Sequence, residues 1–222
     1  MIFYDYWRSS SAWRVRIALN IKQIPVERRA VNLAPQGEAA GGQHTAEFRA
    51  LNPMSQVPVL VIDGAPGPPR TLTQSMAILE YLEERFPSPP LLPADPWLRA
   101  RARQLAEMVN AGIQPMHNLS FLRRLQESGL AEPKELAGQH IARGLGAIEA
   151  IAGETAGSFL LGDAPTLADL YLIPQLYAAR RFNVDLSAFP RLLQVEASCA
   201  ALPAFIEAHP DVQPDAPAAS KS

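Results

Sequence analysis

The apolar pattern changes period several times along the chain, and each change marks an element. Residues 1–5, MIFYD, favour extended backbone. After the polar stretch Trp7 to Ser11, apolar positions at Ala12, Val15, Ile17, Ala18, Leu19 and Ile21 predict one face of a short helix that starts near Ser10 or Ser11 and ends before Pro25. Residues 25–31, PVERRAV, read as a second strand, which completes a strand, helix, strand unit. A Gly- and Ala-rich loop follows, with a short helix between Gln43 and Leu51, a turn over Asn52 to Ser55, and a compact apolar strand from Val57 to Ile62 with Pro58 near its start. Asp63 and Gly64 turn the chain. The proline-rich insert widens that turn on the surface, and Arg70 to Thr73 return as a hairpin partner. Ile78, Leu79, Leu82 and Phe86 then give helical spacing from Gln74 to Phe86.

Residues 86–96, FPSPPLLPADP, hold five prolines and cannot continue a helix, so they are taken as the boundary between two domains. Beyond them helical periodicity dominates. Trp97 to about Gln126 is one long helix or two, bent near Gly112 and Pro115. Pro133 to Ala152 is another helix, and Phe189 to Ala208 gives two short closing ones. Thr166, with Asp169 three residues on and an apolar run from Leu170 to Leu176, is a helix start signal, and Pro174 inside that run should kink the helix or replace one hydrogen bond. The expected division is an α/β domain over 1–85, a linker over 86–96, an all-helical domain over 97–210 and a flexible tail over 211–222.

Composition narrows the function classes. With 48% hydrophobic and 19% charged residues, 222 residues suffice for a sizeable core without staples. Twenty Lys and Arg against 22 Asp and Glu leave a formal charge of -2, which argues against nucleic acid as a partner. The single cysteine, Cys199, excludes an internal disulfide and a thiolate-rich metal site, and fits a reducing compartment. It sits in helical text among Val195, Ala197, Ala200 and Leu202 and reads as a core thiol. Polar residues interrupt every apolar run well before about 18 residues, and the first residues hold no basic leader, so the expectation is a cytoplasmic protein without a membrane span. His44, His117, His140 and His209 fall in no paired-ligand spacing, and no metal is expected. Neither a GxxxxGK loop nor a GxGxxG turn is present.

The position such a glycine loop would take, between the first strand and first helix, holds Trp7-Arg8-Ser9-Ser10-Ser11. Free amides and the helix dipole stabilise an anion there, a serine hydroxyl can donate to an oxyanion or thiolate, and Arg8 and Arg14 can add charge. The residues alone leave a second reading open, in which one serine is the helix cap and the others are solvated. Gln74-Ser75 repeats the arrangement at the start of the third helix, with the same two readings. A cis peptide at Pro58 would turn the Val57 backbone groups towards a peptide-like ligand, although sequence does not fix the isomer.

The stretch Ser9 to Leu19, SSSAWRVRIAL, resembles the signature of zeta-class glutathione transferases, whose best-known activity is maleylacetoacetate isomerase. Further matches run in order along nearly the whole chain: Ala50-Leu51-Asn52-Pro53, Gln56-Val57-Pro58, Gln74-Ser75, Gly112-Ile113-Gln114-Pro115, Asn118-Leu119-Ser120, Thr166 to Asp169, Pro174-Gln175 and Arg181 to Leu186. The resemblance implies a thioredoxin-like α/β domain followed by an all-α domain, the glutathione transferase architecture, with a homodimer as assembly, glutathione as cofactor and a small anionic maleyl substrate. Carried over by motif, it implies that Ser9, Ser10 and Ser11 form the thiol end of the glutathione site, with Ser9 the partner of the sulfur. Gln43 and Val57 beside a cis Pro58 would hold the cysteinyl and glycyl parts, and Gln74 and Ser75 the γ-glutamyl carboxylate. Gln114, Asn118, Leu119 and Ser120 would line the site, and Arg181, assisted by Arg8, would receive the substrate carboxylate. Many relatives carry a cysteine where this chain has Ser11. Two other readings stay open: a maleylpyruvate isomerase, whose relatives share the Ala179-Arg180-Arg181-Phe182 region, and a non-catalytic binding module on the same fold.

Overall fold

A computed structural model of the chain describes residues 1–34, 41–63, 67–129 and 132–218. The chain divides into two compact units, Met1–Pro89 with Pro203–Ser222, and Pro90–Leu202.

In the first unit, the strands among the described residues are β1 (Ile2–Asp5), β2 (Glu27–Ala30), β3 (Val59–Ile62) and β4 (Arg70–Thr73), in the sheet order β2-β1-β3-β4. β1 lies parallel to β2, with Ile2 opposite Glu27, and antiparallel to β3, with Tyr4 opposite Val59; β3 and β4 form the antiparallel hairpin. A parallel pair needs a crossover, and α1 (Ser10–Ile21) supplies it. Alternation along the strands puts Tyr4, Val59 and Val61 on one face, where they pack with Val31, Val57 and Phe48 of α2 (Ala46–Leu51). Phe3 and Leu60, fully buried, point to the opposite face. α1 packs against both α3 (Ser75–Arg85) and α9 (Pro203–Ala208). It is therefore buried from Ala12 to Leu19 on every side, Arg14 and Arg16 included, rather than on the single face its spacing suggests.

The tail differs from expectation. Instead of fraying after residue 210, the described part folds onto the first unit: a 3-10 turn spans Pro210–Val212, and Gln213 and Ala216 are buried. Its hold is polar. Gln213 accepts Arg28 Nη1 at 2.6 Å and donates to the carbonyls of Glu207 and His209, both at 2.8 Å. The expected boundary shifts as well, because the proline-rich stretch is divided between the units. Lys22 Nζ, buried, reaches Glu83 at 2.7 Å and the Phe86 and Pro89 carbonyls at 2.6 and 2.9 Å, fixing the end of the first unit. Leu91 and Leu92 are buried, and the Leu91 carbonyl accepts the Leu167 amide at 2.7 Å within the second. In the hairpin insert, Gly67 to Arg70 are exposed; residues 64–66, and residues 35–40 of the Gly- and Ala-rich loop, lie outside the described residues.

The second unit is helical: α4 (Pro96–Glu107), α5 (Leu119–Ser128), α6 (Pro133–Thr155), α7 (Leu167–Arg181) and α8 (Pro190–Ala200). The bend expected near Gly112 and Pro115 is a π-helical turn over Met108–Ile113 followed by a 3-10 turn over Gln114–His117. α6 approaches this turn closely at Gly144, where a Cβ would lie 2.4 Å from the Ile113 side chain. α7 is the central helix, buried almost throughout, and runs unbroken through Pro174. Asp169, wholly buried, anchors its start: Oδ2 accepts the Thr166 amide at 2.7 Å and the Thr166 hydroxyl at 3.0 Å, and Oδ1 accepts the Leu160 amide at 2.9 Å. The capping box signalled in the sequence is formed, and it also ties down the preceding loop.

Candidate functional site

The serine triplet sits where β1 hands over to α1. Ser9 is the N-cap, with extended backbone (φ -67°, ψ 115°) and its Oγ accepting the Ala12 amide at 3.2 Å. Accepting there leaves the Ser9 hydroxyl proton available to donate outwards, so capping and ligand binding, read from sequence as alternatives, are compatible in one side chain. Ser10 and Ser11 are the first helical residues, at the positive end of the α1 dipole. Arg8 stacks on Trp7, its guanidinium carbon 5.4 Å from the ring centre.

The other helix start singled out by the sequence is that of α3. Gln74 precedes the helix with a left-handed φ of 68°, a conformation that non-glycine residues hold only where the surroundings enforce it. Ser75, 3% exposed, accepts a hydrogen bond from Arg14 Nη1 at 3.1 Å. A guanidinium only donates, so the Ser75 oxygen is turned towards Arg14. Arg14, expected near the serine triplet, thus also supports the start of α3 through Ser75. Arg14 is fully buried, and a buried guanidinium needs partners; its placement follows from tertiary packing around α1.

The first unit also carries groups suited to a peptide-like ligand. The Val57–Pro58 peptide is cis. Val57 precedes the first paired residue of β3, and its backbone has no hydrogen-bond partner among the described residues. Asn52, buried, braces the approach by accepting the Met54 amide at 3.0 Å and donating to the Gln56 carbonyl at 2.7 Å. Gln43, in a 3-10 turn, contacts His44 through Nε2 at 3.2 Å, while its Oε1 is buried without a partner among the described residues. An orphaned acceptor of this kind is costly unless a donor arrives, and a peptide amide fits it.

The remaining candidates belong to the second unit. Gln114 lies in the 3-10 turn, Asn118 is the N-cap residue of α5, and Leu119 and Ser120 open that helix, both exposed. Arg181 ends α7, exposed, and its neighbour Phe182 lies 5.6 Å from the His117 ring. His117 Nε2 also meets Gln175 Oε1 at 3.1 Å, so the 3-10 turn and the end of α7 are held together. Neither His117 nor Gln175 stands out in the sequence as a brace, because their contact joins segments 58 residues apart. Arg180 is drawn away into a bidentate pair with Glu196, both contacts at 2.6 Å. Among the described residues no cluster of His, Cys, Asp and Glu is suited to a metal ion, and no helix is long and apolar enough to cross a membrane.

Comparison with known proteins agrees with this layout. Residues 8–85 match the family described as the N-terminal domain of glutathione S-transferase, and residues 119–207 match its C-terminal domain. The maleylacetoacetate isomerase of Pseudomonas aeruginosa is 46% identical over 99% of this chain and 100% of its own. A crystal structure of maleylacetoacetate isomerase from Anaeromyxobacter dehalogenans, with glutathione bound in its active site, is 55% identical and superposes with a TM-score of 0.88 over 97% of each chain. A bacterial zeta-class maleylpyruvate isomerase in its holo form is 40% identical, with a TM-score of 0.89 over 98% of this chain and 100% of its own. Sequence, architecture and these likenesses together place the chain in the glutathione S-transferase family, in the zeta class that contains the maleylacetoacetate isomerases.

Proposed function

We propose that the protein catalyses the glutathione-dependent cis-trans isomerisation of maleylacetoacetate to fumarylacetoacetate, in aromatic catabolism. The observation that carries the reading is a set of polar groups in the first unit suited to a tripeptide bearing a thiol at one side and a carboxylate at the other. It consists of the Ser9 hydroxyl and first-turn amides of α1, the orphaned Gln43 Oε1, the unpaired Val57 backbone, and Ser75 backed by Arg14. When bound, glutathione supplies a thiolate for reversible addition to the cis double bond, which permits rotation about it and elimination to the trans product.

The chain's own residues supply the electrostatics. Ser9 donates to the sulfur, and the amides of Ser10 and Ser11 with the α1 dipole favour its charged form over the thiol. Gln43 accepts the cysteinyl N–H, Val57 pairs its backbone with the ligand's, and Gln74 with Ser75 receives the γ-glutamyl carboxylate at the start of α3. Arg181 holds the substrate carboxylate, with Arg8 in support, because a planar fork orients a conjugated acid better than an ammonium. Gln114, Asn118, Leu119 and Ser120 line the glutathione site. A cytoplasmic homodimer completes the proposal, supported by family membership.

The second reading, maleylpyruvate isomerisation, is favoured by the 40% identity to such an enzyme. Weighing against it, Arg180, part of the arginine-rich region on which that reading leans, is engaged by Glu196. Initial rates on maleylacetoacetate and maleylpyruvate, each with and without glutathione, decide the matter. Fast, glutathione-dependent turnover of maleylacetoacetate is expected. Equal rates without glutathione would overturn the mechanism, and a strong preference for maleylpyruvate would move the assignment to the second reading.

A further inference from the structure

The turn that carries Ser9 is held from behind by the far end of the chain. The Trp7 amide donates to Asp215 Oδ2 at 2.8 Å, and the Trp7 carbonyl accepts Arg16 Nη2 at 2.8 Å, so both polar groups of one residue, two positions before Ser9, are clamped. The clamp is a closed set of charges. Arg16 Nη1 reaches Asp5 Oδ2 at 3.1 Å, and Arg28 Nη2 reaches both Asp5 oxygens at 2.8 and 2.7 Å. Arg28 Nη2 also lies 3.6 Å from Asp215 Oδ1. Two carboxylates face two guanidiniums, with Asp5 wholly buried and Arg16 4% exposed. Arg16 is tied to the same segment through the Ala208 carbonyl at 3.1 Å, and Gln213 fixes the path of the chain that delivers Asp215. The Trp7 side chain is itself buried and supports Arg8.

We propose that Asp215 is a positioning residue for the thiol end of the glutathione site: by holding the Trp7 amide it fixes the turn through which Ser9 and the first amides of α1 reach the sulfur. This rests on the reading of Ser9 given above. The family matches end at residue 207, so Asp215 lies in a segment outside them, while its partners Arg16 and Arg28 lie within. Physically, the strength of a hydrogen bond to an anion depends on the donor being held in place before the charge forms, and a turn free at Trp7 must spend part of that interaction on ordering itself.

The test compares the wild type with Asp215→Ala, which removes the acceptor, and Asp215→Asn, which keeps an oxygen able to accept the Trp7 amide. Asn20→Ala serves as control, since it loosens the same tail at the Ala204 carbonyl, a 3.1 Å contact, without touching Trp7. The readouts are the pKa of bound glutathione from its thiolate ultraviolet absorbance, kcat and KM with saturating glutathione, binding of S-methylglutathione, and the thermal midpoint. Asp215→Ala should raise the bound thiol pKa by about half to one unit, with kcat falling about threefold to tenfold because the thiolate fraction follows the pKa. S-methylglutathione, which has no thiol to ionise, should bind within about twofold of wild type. Asp215→Asn should recover part of the loss, and Asn20→Ala should lower the midpoint while leaving the thiol pKa in place. An unchanged thiol pKa in Asp215→Ala, or a shift of equal size in Asn20→Ala, would overturn the positioning role. Should Asp215→Ala not fold, Asp215→Leu removes the acceptor while keeping the side chain's shape, and a wild-type thiol pKa there overturns the role equally. A wild type that binds no glutathione would instead overturn the parent reading together with this one.

Discussion

Replacing Asp169 by alanine tests the packing logic of the helical unit, and its size can be worked from the contacts. The carboxylate is wholly buried and accepts the amides of Leu160 and Thr166 together with the Thr166 hydroxyl. The hydroxyl can turn to another acceptor, but the two amides are buried and fixed, and each stranded donor costs about 1–3 kcal/mol. Against this, burial pushes the Asp169 carboxyl up from 3.8 to about 6, despite the opposing pull of its hydrogen bonds, so the ionised form is itself held at a cost at neutral pH. The net expectation at pH 7 is a loss of about 3 kcal/mol, or roughly 6–12 °C in the midpoint of the helical unit for a chain of this size. The pH dependence has a definite sign. A carboxyl with a raised folded pKa holds its proton longer in the native state, so its contribution is full below about 4 and lost as pH rises through about 6. Wild type therefore gains about 1 kcal/mol on going from pH 7 to pH 5 that the alanine variant lacks, and the gap between them widens in acid. Calorimetry at pH 5, 6 and 7, paired with activity normalised to folded protein, measures both. A midpoint within a degree or two of wild type, or a gap independent of pH, would refute the argument.

Ser9→Ala should raise the pKa of bound glutathione and lower kcat, read by thiolate absorbance and initial rates. The same substitution removes the cap on α1 and should cost about 1 kcal/mol in urea denaturation. Arg181→Ala should raise KM for the maleyl substrate several-fold while glutathione binding, followed by calorimetry, stays near wild type. Cys199 is buried, and burial pushes its thiol up, reinforced by the negative charges of Asp169 and Glu196. Iodoacetamide at pH 8 should leave it unmodified until the chain unfolds, as mass spectrometry would show. Sedimentation at micromolar protein should give a species of twice the 24.2 kDa chain mass, and a lone monomer would remove the homodimer from the proposal.

The elements that sequence predicted well are those whose signal is local. The strand at Val59–Ile62, the helix opened by Thr166 and Asp169, and the helix begun at the serine triplet each follow from a run of apolar residues beside a cap or a proline. The contacts missed join distant segments. Nothing local in DVQPDAPAASKS announces that Gln213 and Asp215 are needed by Arg28 and Trp7, about two hundred residues earlier, and a polar terminus reads as a frayed one. The site divides the same way. Ser9, Gln74 and Ser75 are legible because a hydroxyl or amide side chain at a helix start has a mechanism attached to its position. The orphaned oxygen of Gln43, the brace of His117 on Gln175 and the grip of Arg14 on Ser75 depend on tertiary placement, which periodicity does not encode.

The first unit is discontinuous in the chain: residues 90–202 are interposed between its two parts. During synthesis the interposed helices leave the ribosome before α9 and the tail that follows it, so the order of maturation is inverted. The domain whose sequence begins first is completed last, after the second has had time to fold. Until residues 203–218 emerge, α1 has no α9 beside it, and the Asp5, Arg16 and Arg28 side chains await Asp215 and Gln213. A chain terminated before Asp215 would carry every serine of the triplet and the whole helical unit, yet lack the carboxylate that closes the charge set.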